Sequence, residues 1–316
     1  MSLRSSSLLF ALALALLTGG ACAQAYPNKP IRLITSAPGG TSDFTSRVIG
    51  RGLTENLGQQ VIVDNRGDFG GGILAKAPAD GYTLLLDGAS LWLAQLLQKT
   101  PYDPLRDFAP VMVAVRAPNV VVINTAIPVA SVKELIAMAR AKPGALNYAS
   151  GGIGGQSHLA AELFRSMTGV NIVNINYKGT GPAINALVAG EVQIMFCNAT
   201  IAAPHIKAGK VKALAVGSPE RSPLLPDLPT LAASGLPGFE SVVAQGIVLP
   251  ARTPPALVSR INQEIARVLN KPEVKERHFT IGVETMASSP EEFAATMRRD
   301  IERWGKVIKD AGIRVM

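Results

Sequence analysis

A strand that ends in two adjacent glycines and continues as a helix, within residues 31–57, constrains this chain most. Residues 31–35 are mostly apolar or β-branched, which is typical of a buried strand. Gly39 and Gly40 allow a sharp turn and a close approach of a ligand to the main chain. The first N–H groups of the following helix point into this turn, where the helix dipole favours negative charge. The pattern predicts an anion-binding loop made of Pro38, Gly39, Gly40, Thr41, Ser42 and Asp43.

A second unit of the same kind occupies residues 146–168, with a glycine-rich segment at residues 150–157. Gly152 and Gly154 resemble part of a dinucleotide-binding fingerprint, but Ser157 stands where the third glycine belongs. The end of the next strand carries asparagines and no acidic residue that could bind a ribose. A dinucleotide site and a tight turn without a ligand are two interpretations of this segment. The favoured interpretation is a second anion-binding loop that includes Ser150, Gly154, Gln156 and Ser157.

Strand and helix patterns alternate along almost the whole chain. Four strands alternate with three helices between residues 146 and 216, which predicts a parallel sheet with helices on both faces. Short strands are also predicted at residues 111–115 and 120–123, and a glycine-rich loop at residues 65–72. The two strand–loop–helix units indicate two similar lobes. If their loops face each other, they can hold one carboxylate from both sides.

The first 25 residues are typical of an export signal. Arg4 is the only charged residue before an apolar run at residues 8–17, which is too short to span a bilayer. Overlapping A-x-A signals follow, and we expect cleavage near Ala25 and a mature protein in a bacterial periplasm. A membrane anchor and a lipoprotein signal at Cys22 are the alternatives. After cleavage Cys197 is the remaining cysteine, so no internal disulfide is expected.

The chain is basic, with 31 Lys and Arg against 23 Asp and Glu and a formal net charge of +8. No segment is a dense cationic block, and aromatic residues make up 5% of the chain, so a nucleic-acid partner is not expected. A basic balance favours small anions as ligands, although plain solubility explains it equally well.

Patterns typical of catalysis or metal binding are scarce. The three histidines, His158, His205 and His278, lack the spacing of metal ligands and the partners of a nucleophilic triad. We therefore predict no catalytic residue, no metal and no cofactor. Ser90 follows a predicted strand at the edge where parallel sheets bind ligands, and it is a candidate donor. Thr180 opens a helix and is another candidate, in a loop that is equally consistent with a plain connection.

Many short motifs of the chain occur in the same order in one family of receptors. They lie at residues 26–31, 37–43, 80–84, 102–110, 146–150, 157–160, 177–180, 204–210, 228–230 and 235–239. Through them the whole chain after the export signal resembles the periplasmic substrate-binding proteins of tripartite tricarboxylate transporters, also called Bug-type receptors.

This resemblance implies an α/β, type II periplasmic-binding-protein-like fold, with two lobes of mixed, mostly parallel sheets joined by a hinge. Residues 26–115 and 241–316 would form lobe 1, and residues 116–240 would form lobe 2. The family's two carboxylate-binding loops fall on residues 38–43 and 150–157. Family ligands are small organic acids, namely di- and tricarboxylates and aromatic carboxylates, which the receptor passes to a membrane permease. A monomer is expected.

The chain departs from the family pattern at three places. Cys197 replaces the aspartate that relatives usually carry at a position facing the cleft, so Cys197 is also a candidate for ligand binding. Residues 66–76 and 91–99 differ as well, and Trp92 stands where smaller polar residues are usual. We predict a non-enzymatic periplasmic receptor for a small organic carboxylate. The alternatives are a ligand-sensing receptor for a signalling partner and a nucleotide-dependent enzyme.

Overall fold

The computed structural model describes residues 26–313, without the side chain of Asp68, so the predicted signal peptide at residues 1–25 lies outside it. In the described range the strands are β1 (Ile31–Thr35), β2 (Val61–Asn65), β3 (Thr83–Gly88), β4 (Phe108–Asn124), β5 (Asn147–Ser150), β6 (Val173–Asn176), β7 (Ile194–Asn198), β8 (Val211–Val216), β9 (Val242–Pro250) and β10 (Glu284–Thr285). The helices are α1 (Thr41–Leu57), α2 (Gly70–Leu74), α3 (Ser90–Leu97), α4 (Val132–Ala141), α5 (Gln156–Thr168), α6 (Thr180–Ala189), α7 (Ala199–Lys207), α8 (Pro255–Leu269), α9 (Pro272–Thr280) and α10 (Pro290–Asp310).

These strands form two connected sheets. The first sheet has the order β2-β1-β3-β9-β4, in which β1 is parallel to β2 and β3, and β9 is antiparallel to β3 and β4. The short β10 lies antiparallel beside β4. The second sheet has the order β4-β7-β5-β6, with β5 parallel to β6 and β7, and with β7 and β8 antiparallel to β4. The predicted α/β class with mixed sheets is confirmed.

Strand β4 joins the two sheets because it belongs to both. Its residues 108–118 pair with β9, and its residues 119–124 pair with β7 and β8. The predicted strands at residues 111–115 and 120–123 are therefore one strand of 17 residues, and the prediction of two was wrong. The stretch between the two apolar segments contains Pro118, which has no N–H for a hydrogen bond between strands. The sequence therefore did not show that the two segments form one strand.

The apolar side chains pack in three clusters. One lies between the first sheet and helices α1, α8 and α9, and a second lies between the second sheet and helices α6 and α7. The third fills the remaining faces of both sheets and includes helices α3, α5 and α10. In this third cluster Trp92 packs edge-on against Phe293, with ring centroids 5.5 Å apart. Helix α10 contacts both α3 and α5, so the core is continuous between the two sheets on this side.

A set of hydrogen bonds fixes the place where the chain crosses between the sheets. The Gly217 N–H donates to the Asn119 carbonyl at 2.6 Å, and the Ser241 N–H donates to the Gly217 carbonyl at 2.8 Å. The Asn119 N–H and side-chain amide donate to the Ser241 carbonyl and hydroxyl, at 3.0 and 2.6 Å. A Cβ on Gly217 would lie 2.7 Å from the Ser241 carbonyl oxygen. The crossing therefore requires a glycine at this position.

We expect the substitution Gly217→Ala to lower the free energy of unfolding by about 1–3 kcal/mol, because the added methyl group separates the crossing strands. Gly305→Ala is the matched control, since its Cβ would meet Leu96 at an ordinary 3.6 Å inside α10. This control should raise stability by about 0.5–1 kcal/mol. Urea unfolding followed by circular dichroism measures both changes. Equal midpoints for Gly217→Ala and the unsubstituted protein would contradict the role of the crossing.

Candidate functional site

The loop between β1 and α1, here called loop 1 (residues 36–43), presents a helix N-terminus without a side-chain cap. Gly39 has a φ of +86°, in the left-handed region that favours glycine, and Gly40 is the N-cap residue with extended backbone. No side chain of the described residues caps α1, so the N–H groups of its first turn have no capping acceptor. Gly39 and Gly40 are exposed to solvent, and an anion can reach them. Among the other predicted residues, Pro38 is exposed, Thr41 is half-buried, and Ser42 and Asp43 are buried.

The loop between β5 and α5, here called loop 2 (residues 150–157), has the same backbone geometry. Gly154 has a φ of +75°, and Gly155 is the N-cap residue of α5 with φ −71° and ψ 166°. The corresponding angles of Gly40 are −87° and 173°. No side chain of the described residues caps α5 either. In each sheet, therefore, one strand leads through a pair of glycines into a helix whose N-terminus has no side-chain cap.

An equivalent hydrogen bond fixes the shape of each loop. In loop 1 the Gly39 N–H donates to Asp43 Oδ2 at 3.0 Å, and in loop 2 the Gly154 N–H donates to His158 Nδ1 at 3.0 Å. In each case the acceptor lies four residues on, at the third residue of the helix. His158 was not among the predicted site residues. The parallel between GGTSD at residues 39–43 and GGQSH at residues 154–158 is the sequence signal that identifies it.

The carboxylate of Asp43 is fully engaged inside loop 1. Besides the Gly39 N–H it accepts hydrogen bonds from Asn65 Nδ2 and pairs with Arg47 Nη2, each at 2.9 Å. Burial by itself raises the pKa of Asp43, but the hydrogen bonds from Arg47, Asn65 and Gly39 hold that pKa below its ordinary value. Asp43 is therefore ionised and positions the turn, and Arg47 offsets its charge.

His158 plays the same part in loop 2 as a neutral side chain. Its Nδ1 accepts the Gly154 N–H, so the ring proton is on Nε2. Burial lowers the pKa of His158, and Arg165 lowers it further against the opposite effect of Glu162. Glu162, whose Oε1 lies 3.9 Å from Nε2, is held by the Tyr148 hydroxyl at 2.6 Å and by Arg165 at 2.7 Å. Loop 2 therefore places no negative charge beside its free N–H groups.

The hydroxyl groups of two predicted loop 2 residues already form hydrogen bonds with other protein atoms. Ser150 is buried and its Oγ donates to Asn174 Oδ1 at 2.8 Å, while Ser157 Oγ accepts the Gly151 N–H at 3.0 Å. Thr180 is the exposed first residue of α6, another helix without a side-chain cap among the described residues. A Cβ on Gly151 would lie 2.8 Å from the Thr180 nitrogen, so the N-terminus of α6 is next to loop 2.

Cys197 lies on β7 and is only 2% exposed. Its neighbours in the cluster beneath helices α6 and α7 are apolar, and burial raises the pKa of its thiol to about 12. In this conformation the thiol is neutral and buried. A contact between Cys197 and a ligand stays a prediction.

A cavity of about 400 Å³, here called the α3 cavity, lies between α3 and loop 2. Its walls bring together three predicted residues that are far apart in the sequence, namely Ser90, Gly154 and Gln156. The lining does not include the remaining predicted residues, Pro38, Gly39, Gly40, Thr41, Ser42, Asp43, Ser150, Ser157, Thr180 and Cys197. The α3 cavity therefore joins the uncapped N-terminus of α5 to a helix that follows the first sheet.

A second cavity, of about 480 Å³, lies between β4, β9 and α10 and contains none of the predicted residues. Of its three arginines, Arg116 and Arg303 are already paired with Glu284 at 3.1 Å and Glu240 at 2.9 Å, and Arg299 donates to Thr296 Oγ1 at 3.4 Å. In the range 26–313 no group of three His, Cys, Asp or Glu side chains is placed to hold a metal ion. Within the same residues, no helix has both the length and the apolar character needed to cross a bilayer.

Two buried neutral histidines make stability depend on pH. In His278, Nδ1 donates to the Val274 carbonyl at 2.8 Å and Nε2 lies 3.3 Å from Thr45 Oγ1. Burial lowers the pKa of both His278 and His158, so each contributes stability that is fully present above its ordinary pKa, about 6.5. This stability is lost as the pH falls below that value.

We expect the free energy of unfolding to be level between pH 7 and 8. Below about pH 6.5 it should fall by up to about 1.4 kcal/mol per pH unit for each histidine. His158→Asn keeps an acceptor for the Gly154 N–H but does not titrate, so the fall should be shallower in this variant. Urea titrations between pH 5.5 and 8 measure the slope. A stability that stays constant over this range would contradict the neutral buried histidines.

Comparison with known proteins places this geometry in a family. Residues 45–313 match the family described as tripartite tricarboxylate transporter family receptor. BugT of Bordetella pertussis is 36% identical over 301 residues, which cover 93% of this chain and 92% of BugT.

Two solved structures from Rhodopseudomonas palustris are also similar. Rpa4515 with adipate is 35% identical, covers 92% of this chain and 100% of its own, and has a TM-score of 0.77. MatC with bound malate is 29% identical, covers 90% and 100%, and has a TM-score of 0.72. The expected periplasmic-binding-protein-like fold is thereby confirmed. The chain belongs to the tripartite tricarboxylate transporter receptor family, the Bug-type solute-binding proteins.

Proposed function

We propose that the protein is a periplasmic receptor that holds a small organic carboxylate between loop 1 and loop 2 and delivers it to a tripartite tricarboxylate-type membrane transporter. The observation that carries this proposal is the repeated geometry of Gly39–Asp43 and Gly154–His158, one copy on each sheet. In each loop a glycine pair precedes a helix, and the N–H groups of the first helical turn are free. A carboxylate has two oxygens, and each can accept hydrogen bonds from one copy.

The relatives support a carboxylate as the ligand. The structure of Rpa4515 contains adipate and that of MatC contains malate, and both proteins match this chain over nine-tenths of its length. The family to which the chain belongs is one of transporter receptors, so a membrane permease is the natural recipient of the ligand. In this proposal residues 1–25 are an export signal cleaved near Ala25, and the mature protein acts as a monomer without catalytic activity or cofactor.

Main-chain donors of this kind are sufficient for useful affinity. A helix N-terminus contributes up to about 2 kcal/mol to anion binding in a partly buried setting. Each hydrogen bond to a charged group contributes about 1.5–3 kcal/mol. The summed contribution of two helix ends and a few N–H donors to the binding free energy thus exceeds the roughly 8 kcal/mol that a micromolar dissociation constant requires. The entropic cost of ordering the ligand and the loops is not included in this sum. No covalent step is needed.

Binding between two loops on different sheets requires the sheets to approach one another. We propose that residues 26–115 with 241–316 form one lobe, that residues 116–240 form the other, and that the lobes close around the ligand. Asn119 and Ser241, which hydrogen-bond with each other and with Gly217, lie close to these boundaries, so we place the hinge there. A ligand that contacts both loops favours the closed arrangement over the open one.

We expect Gly40→Glu to abolish carboxylate binding and leave the fold intact. The backbone of Gly40 is extended, and a Cβ there would have no atom nearer than the Ala37 carbonyl oxygen at 4.0 Å, so a side chain fits. A carboxylate attached at this position would occupy the anion site and repel the ligand, and we expect the affinity to fall by about 100-fold or more. Gly40→Ala is the matched control and should bind within a few-fold of the unsubstituted protein.

A thermal-shift screen of mono-, di- and tricarboxylates and aromatic acids identifies a ligand, and calorimetry measures its affinity for each variant. The melting temperatures of the unliganded variants should agree within about 2 °C. Equal ligand affinity for Gly40→Glu and Gly40→Ala would contradict the role of loop 1. A screen in which no organic acid raises the melting temperature would contradict the proposed function.

A further inference from the structure

The α3 cavity has an apolar end beside its anion-binding end. Gly154, Gly155 and Gln156 supply the N-terminus of α5 at one wall. Leu93, Ala94, Leu97, Ile153 and Leu159 supply most of the rest, and the polar side chains of the lining are Ser90, Gln98 and Gln156. No Lys, Arg, His, Asp or Glu is part of this lining. A ligand held by its carboxylate at α5 therefore meets aliphatic side chains with the rest of its body.

The apolar wall is held in place by packing behind it. Trp92 is buried, its Nε1 donates to Asp300 Oδ2 at 3.1 Å, and its ring packs on Phe293. These contacts on α10 set the rotation of α3 about its axis. Leu93 and Leu97 follow Trp92 one and five places on, so they share one face of α3 four residues apart. The cavity wall is thus part of the folded core and exists before a ligand arrives.

We propose that the ligand is a monocarboxylate with an apolar body, either an aliphatic chain or an aromatic ring, and that a second carboxylate at the far end is selected against. This inference rests on the proposed function, because it assumes that loop 2 binds the carboxylate. A second ionised group in the α3 cavity would find only neutral side chains, and beside Leu93 and Leu97 it would give up part of its water, which penalises it. A methyl or ring carbon at the same place gains from burial beside Leu93 and Leu97.

The test compares acids of equal length that differ only at the far end. Hexanoate and adipate share six carbons, and hexanoate should bind the unsubstituted protein at least about tenfold more tightly by calorimetry. Along the series butanoate, hexanoate and octanoate, each added methylene should improve the affinity by about fourfold. Adipate that binds as tightly as hexanoate would overturn this inference and leave the proposed carboxylate receptor standing. Absence of binding by every acid would overturn both.

A positive charge placed at the apolar end of the α3 cavity should change the preference from hexanoate to adipate. Leu97→Lys, at the C-terminal end of α3 where a cation suits the helix dipole, should bind adipate more tightly than hexanoate. Gln95→Lys adds the same charge on the same helix at an exposed residue outside the cavity lining, and it should keep the preference for hexanoate. Melting temperatures verify that both variants fold. The same preference in Leu97→Lys and Gln95→Lys would overturn the assignment of the α3 cavity.

Discussion

The hydrogen bond from a glycine N–H to the side chain four residues later is the interaction on which the site depends. It closes the turn of Gly39 on Asp43 and that of Gly154 on His158. Because the N-cap residues Gly40 and Gly155 have no side chain and the third-position side chain is turned back to the preceding glycine, the first-turn N–H groups remain free for a ligand. Helices α4 and α10 show the contrast, since Ser131 and Ser289 cap their N-termini in the ordinary way.

The two copies differ in charge, and the difference has a physical consequence. Asp43 is ionised and brings a negative charge into loop 1, where Arg47 and Asn65 compensate it. His158 is neutral, and the nearby Glu162 is engaged by Tyr148 and Arg165, so loop 2 needs no such compensation. In loop 1 the N-terminus of α1 therefore lies beside a negative charge that Arg47 offsets. In loop 2 the N-terminus of α5 has no such charge beside it. In the proposed site loop 2 would therefore hold an anion more strongly than loop 1 at neutral pH, and protonation of His158 would remove the acceptor of the Gly154 N–H.

The units that carry the site could be predicted from sequence, because their signals are local. Apolar residues in strand spacing, paired glycines and the following helices located both loops and the α/β class. Contacts between distant segments could not be predicted in this way. Residues 65–72 were predicted as a glycine-rich loop, yet Gly70 and Gly71 begin helix α2, where a Cβ would lie within 3 Å of Leu85 and Tyr102 side chains. Those glycines permit close packing, and only the tertiary structure shows which role a glycine has. The engagement of Ser150 by Asn174, and the burial of Cys197, depend in the same way on residues remote in the sequence.

A grip made of main-chain N–H groups cannot by itself distinguish one carboxylic acid from another, because every acid presents the same two oxygens. Discrimination must come from side chains that meet the rest of the molecule, and in the proposed site Ser90, Leu93, Ala94 and Leu97 of α3 are among them. The rotation of α3 is set by Trp92, which packs on Phe293 and donates to Asp300 of α10. Leu93 of α3 is a core residue, whereas Ala94 and Leu97 are half-buried, so these two positions can change with a smaller effect on the core. Changes at these positions would allow one scaffold with a constant carboxylate grip to serve acids of different chemical character.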